Sequence, residues 1–269
     1  MNTAFIGGGN MATAILGGLI RSGTPAKNIW VVEPDDSARE RLSTQFHVNV
    51  LPASNQELAA ADLVVWAVKP QVFKEAALSS QAYTRDALHL SVAAGIGSDS
   101  IAQWLATDRV VRAMPNTPAL IGKGMTALFP RKGVSQAERV QISQTMAATG
   151  ELLWVDIESQ LDAVTALSGS GPAYVFYFLE AMVDAGAALG LSREQAYALA
   201  LSTFGGATAL AAQSDESPAV LRQRVTSKGG TTYAAITSME RDQVKEKFMV
   251  AMSAACTRAA ELGVEFGAG

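Results

Sequence analysis

One cysteine and two histidines in 269 residues leave this chain poorly equipped for several kinds of chemistry. Cys256 has no cysteine to pair with, and its small-residue helical surroundings from Met249 to Ala260 suit a buried thiol in a reducing compartment. His47 and His89 stand apart, and neither lies at ligand spacing from an acidic cluster, so no metal set assembles from the sequence. His89 also alternates within a run that reads as a buried strand, where a structural role is expected. No apolar run reaches the roughly 18 residues that span a bilayer, and Met1-Asn2-Thr3 lacks the positive leader of a signal peptide. The expected location is therefore the cytoplasm, away from membranes. A formal charge of -4 without any stripe of Lys and Arg argues against a nucleic-acid partner. A serine hydrolase is disfavoured too, because Leu167-Ser168-Gly169-Ser170-Gly171 precedes a helical pattern instead of forming an elbow after a strand. Coiled-coil heptads, internal repeats and low-complexity segments are absent.

Apolar residues make up 49% of the chain and charged ones 17%, enough for a well-buried core. Short β-rich runs alternate with helical patterns up to about residue 155: Thr3-Ile6, Ile29-Glu33, Leu63-Ala67, Ala87-Ser91, Val110-Ala113, Met125-Phe129 and Leu152-Val155. That alternation predicts an α/β domain over 1–157, a Rossmann-type fold with a largely parallel sheet. Leu63 to Val68 and Leu88 to Val92 are almost continuously apolar, as central strands covered on both faces must be. Beyond about residue 160 the spacing becomes three and four, through Ala173-Leu189, Arg193-Gln213, Ala219-Thr226 and Gln243-Leu262, with no strand in sight. Residues 158–269 thus read as an all-α domain. Met146, Met182, Met239, Met249 and Met252 fall at helical spacing and are expected to be core. Small residues such as Gly205-Gly206-Ala207 permit close helix approach, and so few helices bury little surface by themselves. A second subunit is expected against them.

Apolar Ala4-Phe5-Ile6 leads into Gly7-Gly8-Gly9-Asn10-Met11-Ala12 and then a helix through Ile15, Leu16 and Leu19. Strand, tight turn and helix in that order make a dinucleotide loop. Gly7 makes the turn, Gly9 lets the backbone approach a pyrophosphate, Ala12 allows close packing, and free amides at the helix start face the phosphates. Glu33 ends the second strand at the distance where an acidic residue bonds ribose hydroxyls, which favours NAD. Arg39 and Arg41 follow on the next helix and are placed to pair with the 2′-phosphate of NADP, and Glu33 also reads as a solvated turn residue. The cofactor's phosphate stays open at this level.

Six segments, in order and spread over nearly the whole chain, carry a resemblance: Phe5 to Met11, Ala67-Val68-Lys69-Pro70, Ala93-Ala94-Gly95, Arg112-Ala113-Met114-Pro115-Asn116-Thr117-Pro118, Leu167 to Tyr174, and Gly229-Gly230-Thr231-Thr232. Together they resemble the pyrroline-5-carboxylate reductases. The resemblance implies reduction of 1-pyrroline-5-carboxylate to L-proline with NADPH or NADH, and an α-helical C-terminal domain that interlocks in a homodimer, with rings of dimers in some members. It also implies that Gly7 to Ala12 hold the pyrophosphate, that Asn55 touches the adenosine end, and that Ala67 to Pro70 with Ala93 to Gly95 border the nicotinamide. Ser227, Gly229, Gly230, Thr231 and Thr232 match the substrate loop, with amides after Gly229-Gly230 on the carboxylate and the Thr232 hydroxyl as the catalytic contact to the ring nitrogen. Glu158 matches a carboxylate near the substrate. Relatives usually carry proline where this chain has Lys228. On residues alone, Thr231-Thr232 also reads as a helix cap. A β-hydroxyacid dehydrogenase or other imine reductase of similar layout, and a non-catalytic dinucleotide-binding protein, are the competing functions.

Overall fold

The computed structural model describes Met1–Gly267. The chain forms two compact units, one of Met1–Pro172 together with the chain from Ala254 onward, and one of Ala173–Ser253.

In the first unit the elements run β1 (Thr3–Ile6), α1 (Asn10–Arg21), β2 (Ile29–Val32), α2 (Asp36–Phe46), β3 (Asn49–Leu51), β4 (Leu63–Trp66), α3 (Pro70–Thr84), β5 (Leu88–Ser91), α4 (Ser98–Leu105), β6 (Val110–Met114), β7 (Gly124–Pro130), α5 (Gln136–Met146), β8 (Gly150–Trp154) and α6 (Gln160–Val164). The strands form one sheet in the order β3-β2-β1-β4-β5-β6-β7-β8. Every pair is parallel except β6 with β7. The expected Rossmann-type layout with a largely parallel sheet is therefore present.

Side chains of a strand alternate between faces, and both faces of this sheet are covered. Leu63 and Val65 of β4 join Ile15 and Leu16 of α1 and Ile142 of α5 in one core layer, while Val64 and Trp66 join Phe73 of α3 and Trp104 of α4 in the other. All four β4 residues are buried completely, which is why that strand reads as an unbroken apolar run. Two helix starts are set by side chains: Asp35 accepts from the Ala38 amide to begin α2, and Ser135 with Glu138 forms a capping box on α5.

All seven expected strands are present. An eighth, β3, was not anticipated, because Asn49 and Val50 are only half buried and three residues give no periodicity to detect. The expected domain boundary at 157/158 also differs from the division of the compact units. Leu161 and Val164 of α6 pack with Ala127, Phe129 and Val155, which keeps this segment on the sheet.

The second unit holds α7 (Gly171–Ala188) from Ala173 onward, α8 (Arg193–Ala212), α9 (Pro218–Arg224), α10 (Thr231–Arg241) and the first part of α11 (Val244–Gly267). No strand occurs in it. Among its described residues, the buried apolar side chains are Leu179, Val183, Ala196 and Ala200, while Phe176, Tyr177 and Leu189 are 64%, 70% and 86% exposed. Met182, Met239 and Met249 are exposed as well, and Met252 is half buried, so of the five methionines expected in the core only Met146 is buried within the chain. The periodicity marked a real apolar face, but one subunit does not cover it. Cys256 is likewise half buried, not fully enclosed. Among the described residues, no helix is long and apolar enough to cross a membrane.

His89 is structural, as expected: its Nδ1 accepts from Trp66 Nε1 at 3.1 Å in the interior of the sheet. Burial, with the nearby Arg109 cation adding to it, pushes the imidazole pKa down to about 4. In the unfolded chain the ring takes its proton near pH 6.5, so between pH 6.5 and 4 the unfolded state binds more protons than the folded one. Stability should therefore fall as pH drops through that window, by roughly 1 kcal/mol per pH unit at most from this group. Urea denaturation from pH 7 to 4 measures the slope. It should flatten in His89→Asn, which keeps an acceptor for Trp66 and cannot titrate, and a slope unchanged in that variant would assign the effect to other groups.

Candidate active site

Strand order reverses between β1 and β4, and in an open parallel sheet such a reversal opens a crevice at the carboxyl ends of the strands. A cleft of about 600 Å³ lies there. It is lined by Ile6 to Gly9 after β1, by Val32 to Pro34 after β2, by Pro52 to Ser54 after β3, and by Ala67 to Lys69 after β4. Gly7 donates to the Val32 carbonyl at 2.9 Å, and Ala67 to the Ile6 carbonyl at 2.8 Å, so the chain turns immediately beyond the last sheet bonds. Gly7 has φ +96, and a Cβ there would lie 2.7 Å from the Ala67 carbonyl oxygen. Only glycine fits. A Cβ on Gly9 would meet nothing within 4 Å, which leaves that face of the loop open.

Helix α1 begins at Gly9 without any side-chain cap, unlike α2 and α5. Its first amides are left for another acceptor, and the positive end of the helix faces the cleft. Ala12 is buried against the core, as the motif requires, and Asn10 and Met11 stand in the first turn. The Phe5 ring is fully buried in the α1-side core layer and takes no part in the cleft. These features fit a bound dinucleotide, whose pyrophosphate needs backbone donors and room for close approach.

Glu33 is not a solvated turn residue. Its carboxylate accepts from the Gly8 amide at 2.9 Å and the Asp35 amide at 3.1 Å, and it lines the cleft. Arg39 turns back, donating to the Glu33 carbonyl at 2.6 Å and pairing with Asp36, whereas Arg41 is exposed. Asp35, which caps α2, has its carboxyl held below the usual range by its bonds from Ser37 and Ala38. Asn55 is engaged locally, its Oδ1 accepting from the Glu57 amide at 2.8 Å, and it follows directly on the cleft residue Ser54. Pro52 to Ser54, and Val72, Ala76 and Ser80 of α3, were not foreseen in this lining. The first group directly follows the unexpected β3.

Lys69 is exposed at the cap position of α3, and Pro70 is the first helical residue. Ala93 to Gly95 follow β5, next to β4 in the sheet, but do not line the cleft. Gly95 instead borders a smaller polar depression of about 250 Å³ with Ser98, Arg112, Glu158 and Asp162. Glu158 lies there, ion-paired to Arg112 at 2.6 Å. Its two oxygens also accept from the Ser98 amide at 2.6 Å and the Ser98 hydroxyl at 2.5 Å. Partial burial, with Glu158 adding to it, raises the carboxyl pKa of Asp162 against the pull of Arg112. Asn116 of the Met-Pro-Asn-Thr-Pro segment is structural: it accepts from the Met125 amide at 2.9 Å and donates to Ser168 at 3.2 Å.

In the second unit, the loop from Ser227 to Gly230 closes through a Gly230 amide to Ser227 carbonyl bond of 3.0 Å, with Gly229 at φ +76. Gly230 caps α10 without a side-chain bond. The reading of Thr231-Thr232 as the helix cap is thus not realised. Both stand inside the first turn, Thr232 half buried and Thr231 exposed, beside amides that no side chain caps. Lys228 is exposed in this loop. Among the described residues no group of three His, Cys, Asp or Glu is disposed to hold a metal ion.

Comparison with known proteins gives two family models, one described as pyrroline-5-carboxylate reductase dimerisation over residues 158–262 and one as NADP oxidoreductase, coenzyme F420-dependent, over residues 2–95. The chain is 45% identical over 266 residues to the pyrroline-5-carboxylate reductase of Pseudomonas aeruginosa, covering 98% of this chain and 97% of that one. The structure of a pyrroline-5-carboxylate reductase from Coxiella burnetii superposes with a TM-score of 0.90 at 38% identity, covering 97% of this chain and 98% of that one. The crystal structure of Plasmodium falciparum pyrroline carboxylate reductase with NADP bound superposes with a TM-score of 0.86 at 29% identity, covering 98% of each chain.

The turn at Gly7 offers a direct test of the cleft. Gly7→Ala places a Cβ against the Ala67 carbonyl in a left-handed conformation, at a cost of about 1–3 kcal/mol. NADPH affinity, followed by quenching of protein fluorescence, should fall by roughly tenfold or more while the circular dichroism spectrum persists. Full affinity in this variant would move the phosphate site elsewhere.

Proposed function

The chain belongs to the pyrroline-5-carboxylate reductase family, and we propose on that premise that it reduces 1-pyrroline-5-carboxylate to L-proline with NADPH, the closing step of proline synthesis. It is an NADP-dependent oxidoreductase acting on the CH–NH group. The observation that carries the reading is the uncapped start of α1 behind Gly7, in the crevice of the strand-order reversal, within a chain matched along its whole length by reductases.

NADPH, when bound, supplies the hydride. Gly7 to Ala12 hold the pyrophosphate with main-chain amides, Glu33 and Asn55 serve the adenosine half, and Ala67 to Pro70 with Ala93 to Gly95 border the nicotinamide. The substrate is a small cyclic imine with one carboxylate. Amides at the start of α10, after Gly229-Gly230, take that carboxylate, and Ser227 and Thr231 complete the loop. The Thr232 hydroxyl bonds the ring nitrogen and orients the C=N bond toward the incoming hydride. Once that nitrogen is protonated the electron sink is already cationic, so positioning replaces acid–base work and no histidine is needed. In this reading residues 1–157 serve the dinucleotide and residues 158–269 serve dimerisation and the substrate, a division by role that leaves α6 packed on the sheet. The exposed Phe176, Tyr177 and Leu189 support a homodimer. Rings of such dimers and a cytoplasmic location complete the reading.

Oxidation of NADPH and of NADH at equal concentration, on addition of pyrroline-5-carboxylate, tests the activity and measures the cofactor preference together. No turnover with either would refute it, and turnover confined to other imines or to hydroxy acids would favour the related dehydrogenases. Thr232→Ala should keep the fold and lower kcat/KM by roughly 10- to 100-fold, the value of a hydrogen bond to a charged group. An unaffected variant would remove Thr232 from the site.

A further inference from the structure

The turn from Ala94 to Gly97 follows β5 at the carboxyl edge of the sheet and carries glycine at two of its four positions, Gly95 at φ +74. Ile96 anchors the turn in the core, but the glycines on either side of it add little stiffness, because glycine resists bending least and loses most entropy when fixed. One side of it is closed by α11, where a Cβ on Gly95 would lie 3.0 Å from Leu262 Cβ. The other side is held by Glu158. Its carboxylate receives the Ser98 amide at 2.6 Å and the Ser98 hydroxyl at 2.5 Å, immediately after the turn. Arg112 on β6 closes on the same Oε1 at 2.6 Å, and Arg131 donates to the Ser98 hydroxyl at 3.1 Å. The Arg112 and Glu158 side chains are 11% and 27% exposed, so this pair is partly buried. Retaining a partly buried ion pair is costly unless all of its hydrogen-bonding capacity is used, and here both carboxylate oxygens are committed. A carboxylate so committed has no reason to face an anionic substrate, which it would repel.

We propose that Glu158 is a positioning residue, clamping the Gly95–Ser98 segment against β6 so that the backbone bordering the nicotinamide is held in register for hydride transfer, and that it is not a substrate ligand. The proposal rests on the reading that Ala93 to Gly95 border the nicotinamide. Misplacement of a reacting pair by about 1 Å costs on the order of 100-fold in rate without weakening binding, and that signature separates a clamp from a ligand.

Glu158→Gln keeps the shape and removes the charge. The single-turnover rate of NADPH oxidation should fall tenfold or more, while the Kd for NADPH and the KM for pyrroline-5-carboxylate stay within threefold. Ser98→Ala, which spares the ion pair, should show the same split at smaller amplitude and covers the event that Glu158→Gln does not fold. Glu138→Gln, which breaks the Arg109–Glu138 pair elsewhere on the same unit, should lose thermal stability and leave the single-turnover rate unchanged. A KM increase of tenfold with the rate preserved would make Glu158 a substrate ligand and overturn the proposal; so would loss of thermal stability alone. Amide hydrogen exchange at Gly95–Ser98 reads the clamp without turnover and should accelerate at least tenfold in Glu158→Gln, and unchanged exchange would also overturn it. A wild-type chain inactive on pyrroline-5-carboxylate would refute the activity, and the exchange measurement would still decide the clamp.

Discussion

At the nucleotide end, the structure depends on one close approach: the backbone of Gly7 against the carbonyl of Ala67. β1 and β4 are neighbours because strand order reverses between them, and their carboxyl ends must diverge to opposite faces of the sheet. For β1 to enter α1 without colliding with β4, the chain must turn within one residue in a left-handed conformation. That turn is what points α1 at the cleft and leaves its first amides uncapped. Glu33, held by the Gly8 amide, then fixes the second residue of the loop from the adjacent strand. Shape and electrostatics at this end follow from a single position where no side chain is tolerated.

The helical unit is governed by the opposite problem. Its helices are well formed, α8 with a capping box at Ser192 and Gln195, and yet almost nothing is buried between them. Stability from burial scales with apolar area removed from water, about 25 cal/mol per Å². Leaving Phe176, Tyr177 and Leu189 in solvent forgoes much of what such a unit can gain, and only association recovers it. The small residues of α8, Gly205 and Gly206 among them, would be poor choices in a self-sufficient core and good ones where another helix must come close.

What could be read from the sequence divides along the same line. β4 was legible because burial on both faces leaves no polar position in it, and the loop after β1 was legible because its chemistry is carried by glycine. β3 was not, since a three-residue, half-buried strand has neither period nor propensity to reveal it, and with it went the residues of the cleft from Pro52 to Ser54. The methionines and Cys256 show a different limit: periodicity reports that a face is apolar and says nothing of which chain covers it. Glu158 shows a third. Its place in sequence gave no sign of Ser98 and Arg112, 60 and 46 residues earlier, which engage both of its oxygens.

These partners bear on how a reductase can work with so few reactive side chains. Hydride addition to a protonated imine leaves the protein little bond-making chemistry to do, and nearly all of the barrier under its control is geometric. Geometry, however, is hard to hold with turns made of glycine, and those turns are needed for close approach to the cofactor. The two requirements meet only if rigidity is supplied from outside the turn. Gly8 takes it from Glu33, and the segment after Gly95 takes it from Glu158, in each case a carboxylate receiving a backbone amide at 2.9 Å or less. In both places a carboxylate thus holds the backbone beside a glycine, and the stiffness comes from a side chain on another segment.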